Sequence, residues 1–187
     1  MAGGSFGGAI AGAVAQRLGA GDRDAAESVA LHSFLLTLGF SALFSLLFLL
    51  FGRQFYTALG GQGEVLEQAL NYSSVFFAGC VAIWVANGAN AIIRGTGQMN
   101  IAGGAMAIGS LIQIIVSAVL VLGIGPFPTL GIAGAAVGNI VGFSIASLLQ
   151  LWFLMRLSPP LRLQLRGITL RISVFMDIFK QGSLASV

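Results

Sequence analysis

Charge is what this sequence has least of. Only 8% of its 187 residues are Asp, Glu, Lys or Arg, about a third of what a soluble domain carries. With 57% hydrophobic side chains there is too little polar surface to coat a body in water, and the chain is expected to lie in a membrane. A single cysteine, Cys80, excludes an intrachain disulfide; it sits in an apolar run and is expected to pack rather than react. There are only four prolines, and the 27 glycines follow no three-residue period, which excludes collagen and low-complexity readings. Nine basic residues and a net charge of +3 are too dispersed to form a nucleic-acid-binding face. No Lys or Arg precedes Arg17, so the basic start of a secretory signal peptide is missing. The sequence holds no metal-ligand cluster, no nucleophile with its base and no phosphate loop, so no metal, cofactor or enzymatic role is expected.

What is present is long apolar segments. A helix needs about 20 mostly apolar residues to cross the hydrocarbon core, and the runs 29–51, 71–93, 101–122 and 130–155 qualify. A fifth, 2–16, is apolar but short and starts abruptly, as if the chain began inside a span. All charged residues fall outside these five segments, as the cost of about 2.5–3.5 kcal/mol for a charge at a span's centre demands. The expected fold is therefore all-α: a polytopic membrane protein of about five transmembrane helices and the start of a sixth. Of the nine Lys and Arg residues, all but Arg53 fall on one side of this topology, which assigns that side to the cytoplasm. Residues 1–157 form the helical part and 158–180 a basic cytoplasmic linker running into an amphipathic stretch. Residues 181–187 begin a further span, so both termini read as truncated.

The turns carry local signals. Gly19 and Gly21 suit a helix stop, and Asp24 with Glu27 three residues later forms a capping box for the next helix. Arg94, followed by Gly95 and Gly97, pairs a cation in the last turn with a glycine for the left-handed cap.

Within the spans, Gly4, Gly8 and Gly12 recur every four residues, as do Gly134, Gly138 and Gly142, giving two ridges where backbones can approach closely. Ser33, Thr37, Ser41 and Ser45 form a four-residue stripe expected to bond back to its own helix. Ser110, Gln113 and Ser117 share a face of 101–122. An amide near mid-span has four hydrogen-bonding positions to satisfy, so Gln113 serves either as interhelical glue or as cavity lining. Asn87 and Asn90, one turn apart with Arg94 beyond them, line an inner vestibule or stabilise the helix end. Asn139, between two ridge glycines, is the remaining buried amide. His32 is expected at the membrane interface. No span holds a formal charge, so none supplies a charged ion site or proton relay.

Four stretches, AQRLGAGD at 15–22, IRGTGQ at 93–98, GIAGAA at 131–136 and FKQGSL at 179–184, resemble the multidrug and toxic compound extrusion (MATE) family in order, spacing and sidedness. The resemblance implies a twelve-helix fold of two six-helix lobes around a cleft, in which inward Na⁺ or H⁺ flow drives export of organic, often cationic, compounds. On that pattern the chain supplies helices two to six and the start of helix seven; helix one, which often carries a key acidic residue, is absent. Some members carry on helix five an Asn and, four residues on, an Asp facing the lobe's cavity. The matching positions here are Gln113 and Ser117, so the amide is kept in type and the carboxylate is lost. The resemblance also implies a plasma (inner) membrane location, with the bilayer, a small organic substrate and the rest of the same transporter as partners. Gln113, Ser117, Asn139, Asn87 and Asn90 are then candidate contacts in the cleft. Alternatives are a lipid-linked oligosaccharide flippase of the same superfamily, expected to have a more cationic cleft, a membrane-embedded enzyme whose catalytic residues lie elsewhere, or a non-transporting scaffold subunit.

Overall fold

A backbone immersed in hydrocarbon has only itself to bond to, and a chain this apolar satisfies its peptide groups within helices. In a computed structural model, residues 2–156 are described, and they form α1 (Ala2–Gly19), α2 (Arg23–Ala58), α3 (Gly63–Gly95), α4 (Met99–Leu122) and α5 (Ile132–Arg156), with no strand among them. The linker expected at 158–180 and the span expected to start at 181–187 lie outside the described residues, as do the side chains of 1–6.

Helices α2 to α5 are each long and apolar enough to cross a membrane. The fifth expected span, α1, has 18 residues, about 27 Å at 1.5 Å per residue, against a hydrocarbon core of about 30 Å. Helices α2 and α3 run to 36 and 33 residues, about 54 and 50 Å, well beyond the apolar runs 29–51 and 71–93. Helical hydrogen bonding continues until a residue interrupts it, whereas an apolar run marks only the stretch that tolerates lipid. The extra turns carry Arg53 and Glu67, paired at 2.6 Å with both side chains largely exposed, an interaction contributing at most about 1 kcal/mol.

The first turn follows the expected logic with a different cap. Gly21 takes φ 77°, and Asp22 N donates to the Arg17 carbonyl while Gly21 N donates to that of Leu18, the bond pair that closes a helix through a left-handed glycine. The cap of α2 is Asp22, not Asp24: its Oδ1 accepts from Ala25 N at 2.9 Å, and Asp24 already lies inside the helix. At the end of α3, Gly97 takes the left-handed conformation, and Gly95 stays helical.

The chain divides into two compact units, and the division falls within α2, α3, α4 and α5. Unit 1 comprises Met1–Thr37, Val85–Ala105 and Ser147–Val187. Its core gathers Ile10, Ala13 and Val14 of α1, Val29 and Ala30 of α2, Ala89, Ile92 and Ile93 of α3, Ala102 of α4, and Phe153 and Leu154 of α5. Small residues dominate, so the backbones approach closely. A Cβ on Gly95 would stand 2.7 Å from Val14 Cβ and 2.8 Å from the Ala11 carbonyl oxygen. The Asn90 amide donates from Nδ2 to the Ala102 carbonyl at 3.0 Å and ties α3 to α4. His32 is buried against its neighbours at 1% exposure; its Nδ1 lies 2.7 Å from the Ser28 carbonyl, which only accepts, so that nitrogen carries the proton.

Unit 2 comprises Leu38–Trp84 and Met106–Ala146. Here the α2 stripe meets α3: Ser45 Oγ donates to the Phe77 carbonyl at 2.7 Å and lies 3.0 Å from Cys80 Sγ, and Ser41 Oγ lies 3.7 Å from the same sulfur. Of the stripe expected to bond back within its own helix, Thr37 does so, to Ser33 O at 2.7 Å, while Ser41 and Ser45 reach across. Cys80 is buried and packed, as expected. Rings of the two helices stack alongside, Phe48 on Phe77 at 4.2 Å between centroids and Phe44 on Trp84 at 5.7 Å. Leu46, Leu111 and Ile114 are each more than 60% exposed, apolar surface that water does not tolerate.

The expected ridge Gly4, Gly8, Gly12 is not a packing seam among the described side chains. Gly8 and Gly12 are exposed and would have nothing within 4 Å of a Cβ; the surroundings of Gly4 lie outside the described residues. The contact stripe of α1 is instead Ile10, Ala13 and Val14, on the opposite side of the helix. Gly95→Ala is therefore expected to destabilise the protein by about 1–3 kcal/mol through overpacking against a backbone oxygen. Gly8→Ala should be neutral or stabilising by up to about 1 kcal/mol through helix propensity. Thermal unfolding of the two variants in detergent checks the contrast.

Candidate functional site

Helix α4 is the most apolar element, and its polar residues lie on one stripe: Ser110, Gln113 and Ser117 recur at three- and four-residue spacing. The structure sets this stripe against the glycine ridge of α5. A Cβ on Gly142 would stand 2.5 Å from Gln113 Cβ and 2.6 Å from the Gly109 carbonyl oxygen. One on Gly138 would collide with Ser117 Oγ and stand 2.7 Å from Ser117 N, and one on Gly134 would stand 2.8 Å from the Leu120 carbonyl carbon. Gly109, Gln113, Ser117 and Leu120 thus face Gly142, Gly138 and Gly134 in antiparallel order. Any side chain at the three ridge positions would hold the helices apart.

Gln113 and Ser117 are half-buried and Ser110 is exposed. Next to Gln113, a recess between α4 and α5 is lined by Met106, Ser110, Phe143 and Ala146, and it is too tight to hold a water molecule.

Asn139 follows the ridge glycine Gly138. Successive helical residues are about 100° apart, and Ile140 lies against Gly79 of α3, so Asn139 lies on the sector of α5 between its α4 and α3 contacts. It is half-buried, and its Oδ1 is fully enclosed without a hydrogen-bond partner.

Gln113, Ser117 and Asn139 therefore all belong to unit 2, on or beside one helix seam. Asn87 and Asn90 belong to unit 1. Asn90 is engaged by the Ala102 carbonyl of α4, and Asn87 is exposed. One amide escaped the sequence reading. Gln150 of α5 is completely buried, with neither end of its amide hydrogen-bonded. A polar residue interrupting the apolar run 130–155 was its only signal.

Chemically the unit 2 group is polar and uncharged. Its amides present donors and acceptors on the same side chain, and its hydroxyl does both. It offers hydrogen bonds and dipoles but no formal charge, and it holds no group that titrates near neutrality. Among the described residues no group of three or more His, Cys, Asp or Glu could hold a metal ion.

The MatE family profile matches residues 1–119. A curated relative, an FAD transporter of Shewanella oneidensis, is 27% identical over 129 residues, covering 69% of this chain and 28% of its own length. Among solved structures, an inward-facing multidrug resistance MATE transporter of the MOP superfamily is 28% identical with a TM-score of 0.90, over 99% of this chain and 41% of its own. An outward-facing one is 29% identical with a TM-score of 0.87, over 98% and 40%. A MOP superfamily transporter from Pyrococcus furiosus, described as having a binding pocket of reverse polarity, is 27% identical with a TM-score of 0.87, over 99% and 40%. The chain thus spans about two-fifths of the length of these solved relatives.

The seam geometry makes a direct expectation. Gly142→Ala should lower stability by about 1–3 kcal/mol, and adding Gln113→Gly, which removes the Cβ at 2.5 Å, should restore little of it, because the Gly109 carbonyl oxygen remains in the way at 2.6 Å. Thermal melts of the single and double variants in detergent read both; full recovery in the double variant would show that the side chain, not the backbone, sets the approach.

Proposed function

The chain belongs to the MATE family, and on that premise we propose that it forms most of the N-terminal lobe of a secondary active antiporter exporting organic compounds by alternating access. The observation carrying this reading is the likeness of almost the whole chain to MATE structures in both inward- and outward-facing conformations. A lobe that turns as a body between two conformations has this property, since its own helices keep their arrangement while the cleft opens to either side.

In this reading Gln113, Ser117 and Asn139 offer the substrate hydrogen bonds from the α4–α5 seam. Oε1 of Gln113 accepts from ammonium or N–H groups, and the amide nitrogens of Gln113 and Asn139 and the Ser117 hydroxyl donate to carbonyl or phosphate oxygens. Such a set selects by shape and hydrogen bonding rather than by charge, so the substrate panel includes organic cations and, following the curated relative, FAD. A flippase for lipid-linked oligosaccharides would call for a cationic cleft, and none of the three residues is basic. The coupling ion is Na⁺ or H⁺, taken up at a carboxylate elsewhere in the whole transporter, because Ser117 stands where a family carboxylate would be. The turns bearing Arg17, Arg94 and Arg156 face the cytoplasm, and the membrane is the plasma membrane.

Export by the full-length transporter carrying Gln113→Leu and Ser117→Ala, measured in proteoliposomes under imposed Na⁺ and pH gradients, tests the reading. Loss of one or two substrate hydrogen bonds of about 1 kcal/mol each is expected to slow export by roughly 5- to 30-fold. Unchanged export would remove both residues from the mechanism. Absence of flux for the unaltered protein under either gradient would favour a scaffold role.

A further inference from the structure

Among the described residues, unit 1 has five buried polar side chains, His32, Ser33, Thr37, Ser147 and Gln150. Three are engaged: His32 with the Ser28 carbonyl, Thr37 with the Ser33 carbonyl, and Ser147 with a partner of its own. Gln150 is different. Its exposure is 0%, and both Oε1 and Nε2 are enclosed without a hydrogen-bond partner among the described residues. Ser33 Oγ, in the same unit, shares that condition.

An amide enclosed among apolar side chains is tolerated only when something satisfies it. Which ligand could do so follows from which ends are unsatisfied. A cation would engage Oε1 and leave Nε2 without an acceptor. An anion would do the reverse. The ligand must donate to one end and accept from the other, and it must fit a core built largely of alanine, valine and isoleucine. We propose that Gln150 holds a buried water molecule in unit 1, a structural hydration site separate from the Gln113 seam and independent of the transport reading. The water accepts from Nε2 and donates to Oε1 of the Gln150 amide. Internal waters of this kind make about two to four hydrogen bonds to groups that the protein itself leaves unsatisfied.

Hydroxyl-radical footprinting by X-ray radiolysis tests this on the full-length transporter in detergent, because a buried side chain is labelled only where a bound water supplies the radical. Leu154 has 0% exposure and lies one turn beyond Gln150 on the same face of α5, and its side chain leans back over the Gln150 turn. Leu154 is expected to be labelled several-fold more than Ile10, Val14 and Ile93, which are equally buried in the same unit. In Gln150→Leu its labelling should fall to their level, with that of the exposed Leu122 unchanged. Labelling of Leu154 no higher than that of the three reference residues in the unaltered protein overturns the proposal, and so does labelling that survives Gln150→Leu. The comparison within the unaltered protein decides the matter even if the variant fails to fold.

Discussion

Helices surrounded by lipid gain nothing from hiding apolar surface from one another, because lipid tails are as apolar as leucine. What holds two of them together is the number of atoms they bring into contact. In unit 2 this constraint is met by removing side chains from one partner. Gly134, Gly138 and Gly142 let the backbone of α5 lie directly on Leu120, Ser117 and Gln113 of α4. No ion pair assists this seam, and none is needed at such an approach. The position of the candidate site follows: Gln113 and Ser117 are half-buried because a bare ridge covers one side of them and leaves the other open.

The α2–α3 seam answers the same constraint by the opposite means. There the side chains are large or polar and interlock. Ser45 bridges to the Phe77 carbonyl and to Cys80, and the rings of Phe44, Phe48, Phe77 and Trp84 stack along it. Stacked rings and a bridging hydroxyl fix one register, since sliding by a turn would break every contact at once. A glycine ridge is smoother.

Composition and charge made the helices legible, because every residue in a span must satisfy lipid and that requirement is written in each position. The boundaries of α2 and α3 were less so, since helical hydrogen bonding outlasts the apolar run that lipid selects. The two glycine ridges show the other limit. Both have the same four-residue spacing, yet only that of α5 is covered among the described residues. Periodicity states which residues share a face and not which face meets a neighbour. His32 and Gln150 illustrate this as well: a lone polar residue in an apolar run carries no mark of its depth, which is set by helices far away in sequence. Asn90 and Gln113 were indistinguishable as amides on helical faces. Only the fold gives the first a carbonyl on α4 and sets the second beside a ridge.

An uncharged polar seam has consequences for the proposed cycle. A carboxylate in such a seam would have to be neutralised each time the cleft closed, by a proton, a metal ion or a cationic substrate, because an unpaired charge away from water is far too costly. That obligation is what couples ion to substrate in an antiporter. Gln113, Ser117 and Asn139 impose no such obligation. Their dipoles can face substrate in one conformation and neighbouring helices in the other without a change of charge, so this lobe can open and close whether or not an ion is bound. In the proposed cycle coupling would then come from a titratable or ion-binding group outside this seam, and the seam's part would be to recognise the substrate by shape and hydrogen bonding.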